Sequence, residues 1–279
     1  MPELPEVETI RLALAPAVEG RRVTRLDVLD RRWCRPVAPG ELSAAVEGRR
    51  IDRLERRGKY LCFDLGSGLM LTCHLRMTGN FLYQAPPEVP YQRAVIHLDD
   101  GSVIRYCDVR RFGTADLLAG EAAQEEFFGS RLGVEPLGGG LDGPALRAMA
   151  RGRSAPVKSF LLDQRNVAGV GNIYADEALF RAGVHPLRPA GRLKPAQYER
   201  LAGGIRDALQ AGLAAGGATI DDFRHPDGLY GSFQDEFRVH RREGEPCPDC
   251  GREIRKLSVA GRGTYVCEGC QPRPRLTKR

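Results

Sequence analysis

The sequence predicts an α+β protein in two parts: an antiparallel β-sandwich with a flanking N-terminal helix, then a helical part ending in a small four-cysteine ribbon. Three observations predict it. Between residues 22 and 107, short segments of alternating apolar residues follow one another with tight glycine turns between them. Beyond residue 144 apolar residues recur at helical spacing instead. Near the C-terminus two Cys-x2-Cys pairs lie 16 residues apart.

Residues 5–15 read as a helix. Pro5 starts it, Glu6 and Glu8 occupy its first turn, and Val7, Ile10 and Leu14 form one apolar face. Strands are expected at 22–29, 50–54, 59–65, 69–75, 94–98 and 103–107. In the third, Leu61, Phe63 and Leu65 alternate with Tyr60, Cys62 and Asp64, the pattern of a half-buried strand. Gly66-Ser67-Gly68 and Asp99-Asp100-Gly101 make hairpin turns. The glycine-rich stretch 137–143 is the expected linker. Helices follow at 155–164, at 173–182 (capped by Asn172, ended by Gly183) and at 195–215. Gly203-Gly204 weakens the last of these by about 1 kcal/mol per glycine relative to alanine. Residues 216–231 form a glycine-rich polar segment, read as a mobile loop. The expected divisions are 2–137 (catalytic sandwich), 144–236 (helical domain with its loop), 237–271 (finger) and a basic tail at 272–279.

The 279 residues suffice for a sizeable core, and 42% hydrophobic with 28% charged residues is ordinary for a globular protein. No run of about 18 apolar residues suggests a membrane span, and no secretory signal is read. A reducing cytoplasm is therefore expected. The net charge of +6 is by itself weak evidence for a polyanionic partner. Residues 241–279 carry 10 Lys/Arg against 5 Asp/Glu, which concentrates the excess at the C-terminal end. Cys34, Cys62, Cys73 and Cys107 stand singly in apolar stretches and read as buried thiols.

Five motifs carry chemistry. Cys247, Cys250, Cys267 and Cys270 have the spacing of a closed tetrahedral zinc site; a redox dithiol would need neither the second pair nor this spacer. Arg262, between Gly261 and Gly263 at the expected hairpin tip, is either a phosphate- or groove-reading residue or a solvated turn arginine. Gly169-Val170-Gly171-Asn172 opens a helix whose free N–H groups and dipole favour an anion, although such turns are commonly only turns. Pro2-Glu3 would present a secondary amine once Met1 is removed. Such an amine is partly unprotonated at neutral pH and can attack a sugar C1′, with Glu3 moving protons. Lys59, in a basic hairpin, is either functional or a solvated charge. Met77 and Phe112, beside glycines at strand ends, are either core residues or wedges for a base stack.

Together these residues resemble the formamidopyrimidine-DNA glycosylase family. The resemblance rests on Pro2-Glu3-Leu4-Pro5-Glu6-Val7-Glu8-Thr9, Arg57-Gly58-Lys59-Tyr60-Leu61, His74-Leu75-x-Met77-x-Gly79, Asp108-x-Arg110-Arg111-Phe112-Gly113, Gly169-Val170-Gly171-Asn172-Ile173-Tyr174-Ala175 and Gly244-x-Pro246-Cys247. It implies a helix-two-turns-helix domain before the zinc ribbon, one structural Zn2+, and a bifunctional glycosylase/AP lyase for oxidised purines. Pro2 would be the nucleophile, Glu3 the general acid and Glu6 a supporting carboxylate, with Lys59 and Arg262 also in the catalytic set. Met77, Arg110 and Phe112 would fill the gap left by a flipped nucleotide. His74, Lys158, Asn172, His240, Lys256 and Arg262 would contact DNA. The partner would be double-stranded DNA bearing oxidised bases or abasic sites, and the protein a monomer at the bacterial nucleoid. Two departures stand out: Val239-His240-Arg241-Arg242 replaces the family's usual Val-Tyr-Gly-Arg, and Tyr91-Gln92-Arg93-Ala94 replaces a Lys-His-x-His segment. His240 in the phosphate-contacting place implies binding that depends on pH near neutrality.

Overall fold

The structure is a computed structural model, and it describes residues 1–219 and 224–274. Two compact units divide it: residues 1–130 with 212–234, and residues 131–211 with 235–279.

In the first unit, α1 (Leu4–Val18) begins where the sequence places it. The Glu6 carboxylate reaches back to the Glu3 N–H at 2.8 Å, which satisfies a donor that the helix itself leaves open. Leu4, Val7, Ile10, Leu14 and Val18 are fully buried along one stripe, and α1 packs on β2 (Arg53–Arg57) and β3 (Tyr60–Asp64). The sandwich is two four-stranded antiparallel sheets. One runs β2-β3-β4-β8, with β4 Leu69–His74 and β8 Thr114–Ala119. The other runs β1-β6-β7-β5, with β1 Val23–Val28, β5 Gly79–Tyr83, β6 Gln92–Leu98 and β7 Val103–Asp108. Phe63 of the first sheet meets Phe81 of the second edge-on at 5.8 Å, and Phe81, Tyr106 and Trp33 continue the aromatic column.

Several expectations shift. The strand expected at 50–54 starts three residues later; Arg50 makes only an isolated bridge to Arg22. Strands β5 and β8 and the helices α2 (Pro39–Val46) and α3 (Glu121–Gly129) add to the expected set. Cys62 is fully buried, as expected of a thiol in an apolar stretch, although it alternates with Leu61 and Phe63; it shares a face with Tyr60, against which Phe127 and Phe128 of α3 pack. All four single cysteines are buried thiols.

The second unit holds α4 (Gly143–Ala150), α5 (Val157–Leu162), α6 (Asn172–Arg181), most of α7 (Pro195–Ala214) and the hairpin of β9 (Arg255–Val259) with β10 (Arg262–Val266). The expected glycine linker lies inside this unit. Leu141 there is buried, and its carbonyl accepts the Arg206 guanidinium at 2.7 Å. The cap of α6 is also corrected. Gly171 is the N-cap, and Asn172 is the first helical residue with its side chain directed elsewhere. Gly183 ends the helix at φ +64°, a left-handed conformation that favours glycine. The 216–231 segment and the basic tail fall partly outside the described residues.

Candidate functional site

The N-terminal cluster is buried. Pro2 is enclosed, and Glu3 and Glu6 are 2% and 1% exposed. Glu6 does more than cap α1: its second oxygen accepts the Ala218 N–H at 2.8 Å, so one carboxylate ties the start of the helix to residue 218. Pro2 is therefore held on a fixed helix end rather than on a loose tail. Pro5 in the first turn adds stiffness there.

Lys59 is not a solvated hairpin charge. It follows Gly58 (φ +57°) in the β2–β3 turn and is only 4% exposed. Burial, then Arg76, then the Lys59 charge hold the His74 imidazolium down, and the pKa falls to about 3. His74 Nδ1 accepts the Arg76 N–H at 3.0 Å, so the neutral ring carries its proton on Nε2 and can donate there.

Met77 and Phe112 are outside the core, at 38% and 52% exposure. They stand on the β4–β5 and β7–β8 loops. The Arg110 guanidinium lies 4.8 Å from the Phe112 ring centroid, which gives a cation stacked on an apolar face. Arg76 and Arg111 each adopt φ near +60°, unusual for a side chain of that size. Arg111 is held there by a 2.6 Å bond from its Nε to Asp30.

In the second unit the four cysteine sulfurs lie within 4.8 Å of one another. Cys247–Cys270 and Cys250–Cys267 are 3.8 and 3.4 Å apart. A tetrahedral zinc with Zn–S of about 2.3 Å needs sulfurs roughly 3.8 Å apart, so the cage fits the ion. Phe180, Val239 and Ile254 pack around Cys247 and Cys267 and join the ribbon to α6. Zinc here is structural: it folds the ribbon and leaves no open coordination position.

The hairpin tip turns at Ala260 and Gly261, both at positive φ, and exposes Arg262 as the first residue of β10. Lys256 on β9 is half-exposed and lies 3.7 Å from Glu243. Three expected DNA contacts, Lys158, Asn172 and His240, have other partners. Lys158 is fully buried, and its ammonium bonds Asp176 Oδ1 at 2.7 Å, Thr264 Oγ1 at 2.8 Å and the Gly263 carbonyl at 3.2 Å. Asn172 Nδ2 donates to the same carbonyl at 3.0 Å. Both residues thus position the tip that carries Arg262. His240 is 4% exposed, lies between the Phe237 and Tyr265 rings, and binds Asp176 Oδ2 through Nδ1 at 2.9 Å.

Residues 1–115 match the formamidopyrimidine-DNA glycosylase N-terminal domain, and residues 132–224 match the H2TH domain of the same proteins. Residues 244–273 match the zinc finger found in FPG and IleRS. A formamidopyrimidine-DNA glycosylase of Alkalilimnicola ehrlichii is 46% identical, over 97% of this chain and all of its own length. The chain belongs to the formamidopyrimidine-DNA glycosylase family. A second family member, from Symbiobacterium thermophilum, is 47% identical over 98% of this chain and 90% of its own. Among solved structures, MutM (Fpg) from Thermus thermophilus superposes with a TM-score of 0.87 at 43% identity, covering 97% of this chain and 98% of that one. The Lactococcus lactis Fpg in complex with DNA containing an abasic site gives 0.90 at 33% identity, covering 97% and 100%. A mutant of the same enzyme bound to Fapy-dG DNA gives 0.91 at 34%, covering 98% and 100%.

Sequence reasoning missed the acids that hold these parts in place: Asp30, Asp108, Asp176 and Glu177. Glu177, fully buried, accepts the N–H groups of Arg238, Val239 and His240 and the Arg181 guanidinium. An acid inside an otherwise apolar helical face, as in Asp176-Glu177-Ala178-Leu179-Phe180, was the available signal.

Proposed function

We infer that the protein is a DNA glycosylase and AP lyase of base excision repair that removes oxidised purines from double-stranded DNA. The observation that carries this reading is family membership over nearly the whole chain, combined with a Pro2-Glu3 terminus held on a rigid helix start.

The chemistry is as follows. After removal of Met1, the Pro2 nitrogen attacks C1′ of the damaged nucleotide. The glycosidic bond breaks, and its electron pair and a proton leave with the base. Glu3 protonates the sugar ring oxygen as the ring opens, which leaves an iminium between Pro2 and C1′. The iminium acidifies the C2′ proton. Its loss expels the 3′ phosphate, and a second elimination expels the 5′ phosphate. Lys59 and neutral His74, adjacent in the turn and at the end of β4, serve phosphate at the lesion. Arg262 and Lys256 contact phosphate from the ribbon, with Arg262 also assisting elimination. Met77, Arg110 and Phe112 enter the duplex where the base has left. Extrusion costs a few kcal/mol, which these contacts offset. The place of action is the bacterial nucleoid.

Parallel excision assays on duplexes containing 8-oxoguanine, formamidopyrimidine-guanine or thymine glycol test the substrate class. Faster release of the two purine lesions is expected. Release of thymine glycol alone would replace this reading with one for oxidised pyrimidines.

A further inference from the structure

Asp108 ends β7 and is 1% exposed. One oxygen accepts the Thr78 hydroxyl and, at 3.2 Å, the Arg110 N–H. The same Arg110 N–H lies 3.0 Å from Thr78 Oγ1, so the threonine hydroxyl donates to Asp108 and accepts from Arg110. The other oxygen accepts the Gly113 N–H at 2.8 Å and the Tyr106 hydroxyl at 3.4 Å. A single buried carboxylate therefore grips both ends of the 108–113 loop and, through Thr78, the loop that carries Met77. Its backbone is fixed too: the Asp108 N–H donates to the Tyr91 carbonyl at 3.0 Å, and the Asp108 carbonyl accepts Arg93 Nε at 2.9 Å. Glycine is needed on both sides. A Cβ at Gly79 or at Gly113 would collide with the Tyr106 hydroxyl.

We propose that Asp108, with Thr78 as its bridge, is a positioning residue that locks the Met77 loop and the Arg110–Phe112 loop into one rigid wedge. This rests on the reading that Met77, Arg110 and Phe112 fill the gap left by the extruded nucleotide. The physical reason is geometric. Each loop alone has an arginine at left-handed φ and an exposed apolar side chain. Three side chains that must enter one base stack together need a fixed mutual spacing, and errors of about 1 Å are costly in such sites. A carboxylate suits the task because it is acceptor-only and can take all four donors at once. An amide cannot: in Asp108→Asn the NH2 group faces either the Gly113 N–H with the Tyr106 hydroxyl, or the Thr78 hydroxyl with the Arg110 N–H.

The test compares Asp108→Asn, Thr78→Val and Thr78→Ser with Met77→Ala and Arg110→Ala. Three readouts are taken. They are kcat/KM on a duplex with 8-oxoguanine opposite cytosine, the ratio of that value to the value opposite adenine, and nicking of a single-stranded abasic oligonucleotide, which has no partner strand to displace. Asp108→Asn and Thr78→Val are expected to lower duplex excision at least tenfold and opposite-base discrimination at least threefold, with single-strand nicking within twofold. Thr78→Ser, which keeps the hydroxyl, is expected to match the unaltered protein. Equal losses on all three readouts, or duplex excision unchanged in both variants, would overturn the proposal. If Asp108→Asn does not fold, Thr78→Val decides alone. If Met77→Ala and Arg110→Ala also leave duplex excision unchanged, the wedge reading itself fails. If they reduce it while Asp108→Asn and Thr78→Val do not, only the positioning role fails.

Discussion

At the scale of single residues, burial sets the charge of His74. His74 is pushed down to about 3, by burial first and by Arg76 and Lys59 after it. Its folded value lies below the unfolded value of about 6.5, so between these limits the unfolded chain binds a proton that the folded protein does not. Stability is therefore full above about pH 6.5 and falls as the pH drops, by about 1.4 kcal/mol per unit from this group. Thermal melts from pH 7 to 4 should show a shallower loss in His74→Gln than in the unaltered protein, and equal slopes would contradict the assignment. The Pro2-Glu3, Lys59 and Met77/Arg110/Phe112 sets were legible because each breaks a local habit. A proline follows Met1, a lysine follows the turn glycine, and large apolar side chains stand beside strand-end glycines. Burial of Lys158 was not legible, because its partners are distant in sequence: it meets Gly263 and Thr264 more than a hundred residues away.

At the scale of elements, adjacent glycines of α7 separate propensity from packing. A Cβ on Gly203 would meet nothing within 4 Å, whereas on Gly204 it would lie 2.7 Å from the Ala178 carbonyl of α6. Gly203→Ala should stabilise by about 1 kcal/mol through helix propensity. Gly204→Ala should destabilise by roughly 1–3 kcal/mol through overpacking. Denaturant midpoints of the two variants test the pair; the same sign for both would refute the close approach. The strands were largely legible from alternation, since β1, β3, β4, β6 and β7 sit within a few residues of expectation. The pattern fails at β5 and β8. Gly79-Asn80-Phe81-Leu82-Tyr83 is buried at four of its five positions and so loses the alternating signature, and β8 carries too few β-branched residues.

At the scale of the whole molecule, net charge and the ribbon bear on DNA affinity. Binding to an abasic-site duplex should weaken steeply with salt, and Lys256→Ala should lower the slope of log affinity against log salt by about 1. Lys158→Met should leave that slope unchanged, because its ammonium is spent on Asp176, Thr264 and Gly263. It should instead cost roughly 3–5 kcal/mol of stability, since Asp176 keeps its buried charge without its cation. Among the described residues no helix is long and apolar enough to cross a membrane. The central claim is that the processed N-terminus forms the covalent bond to DNA. Borohydride reduction of the protein mixed with an abasic-site duplex, followed by peptide mapping, tests it most directly. The account predicts a one-to-one adduct on Pro2 of chains lacking Met1, largely lost in Pro2→Gly. No adduct, or an adduct mapped to Lys59 with Pro2→Gly trapping normally, would contradict it.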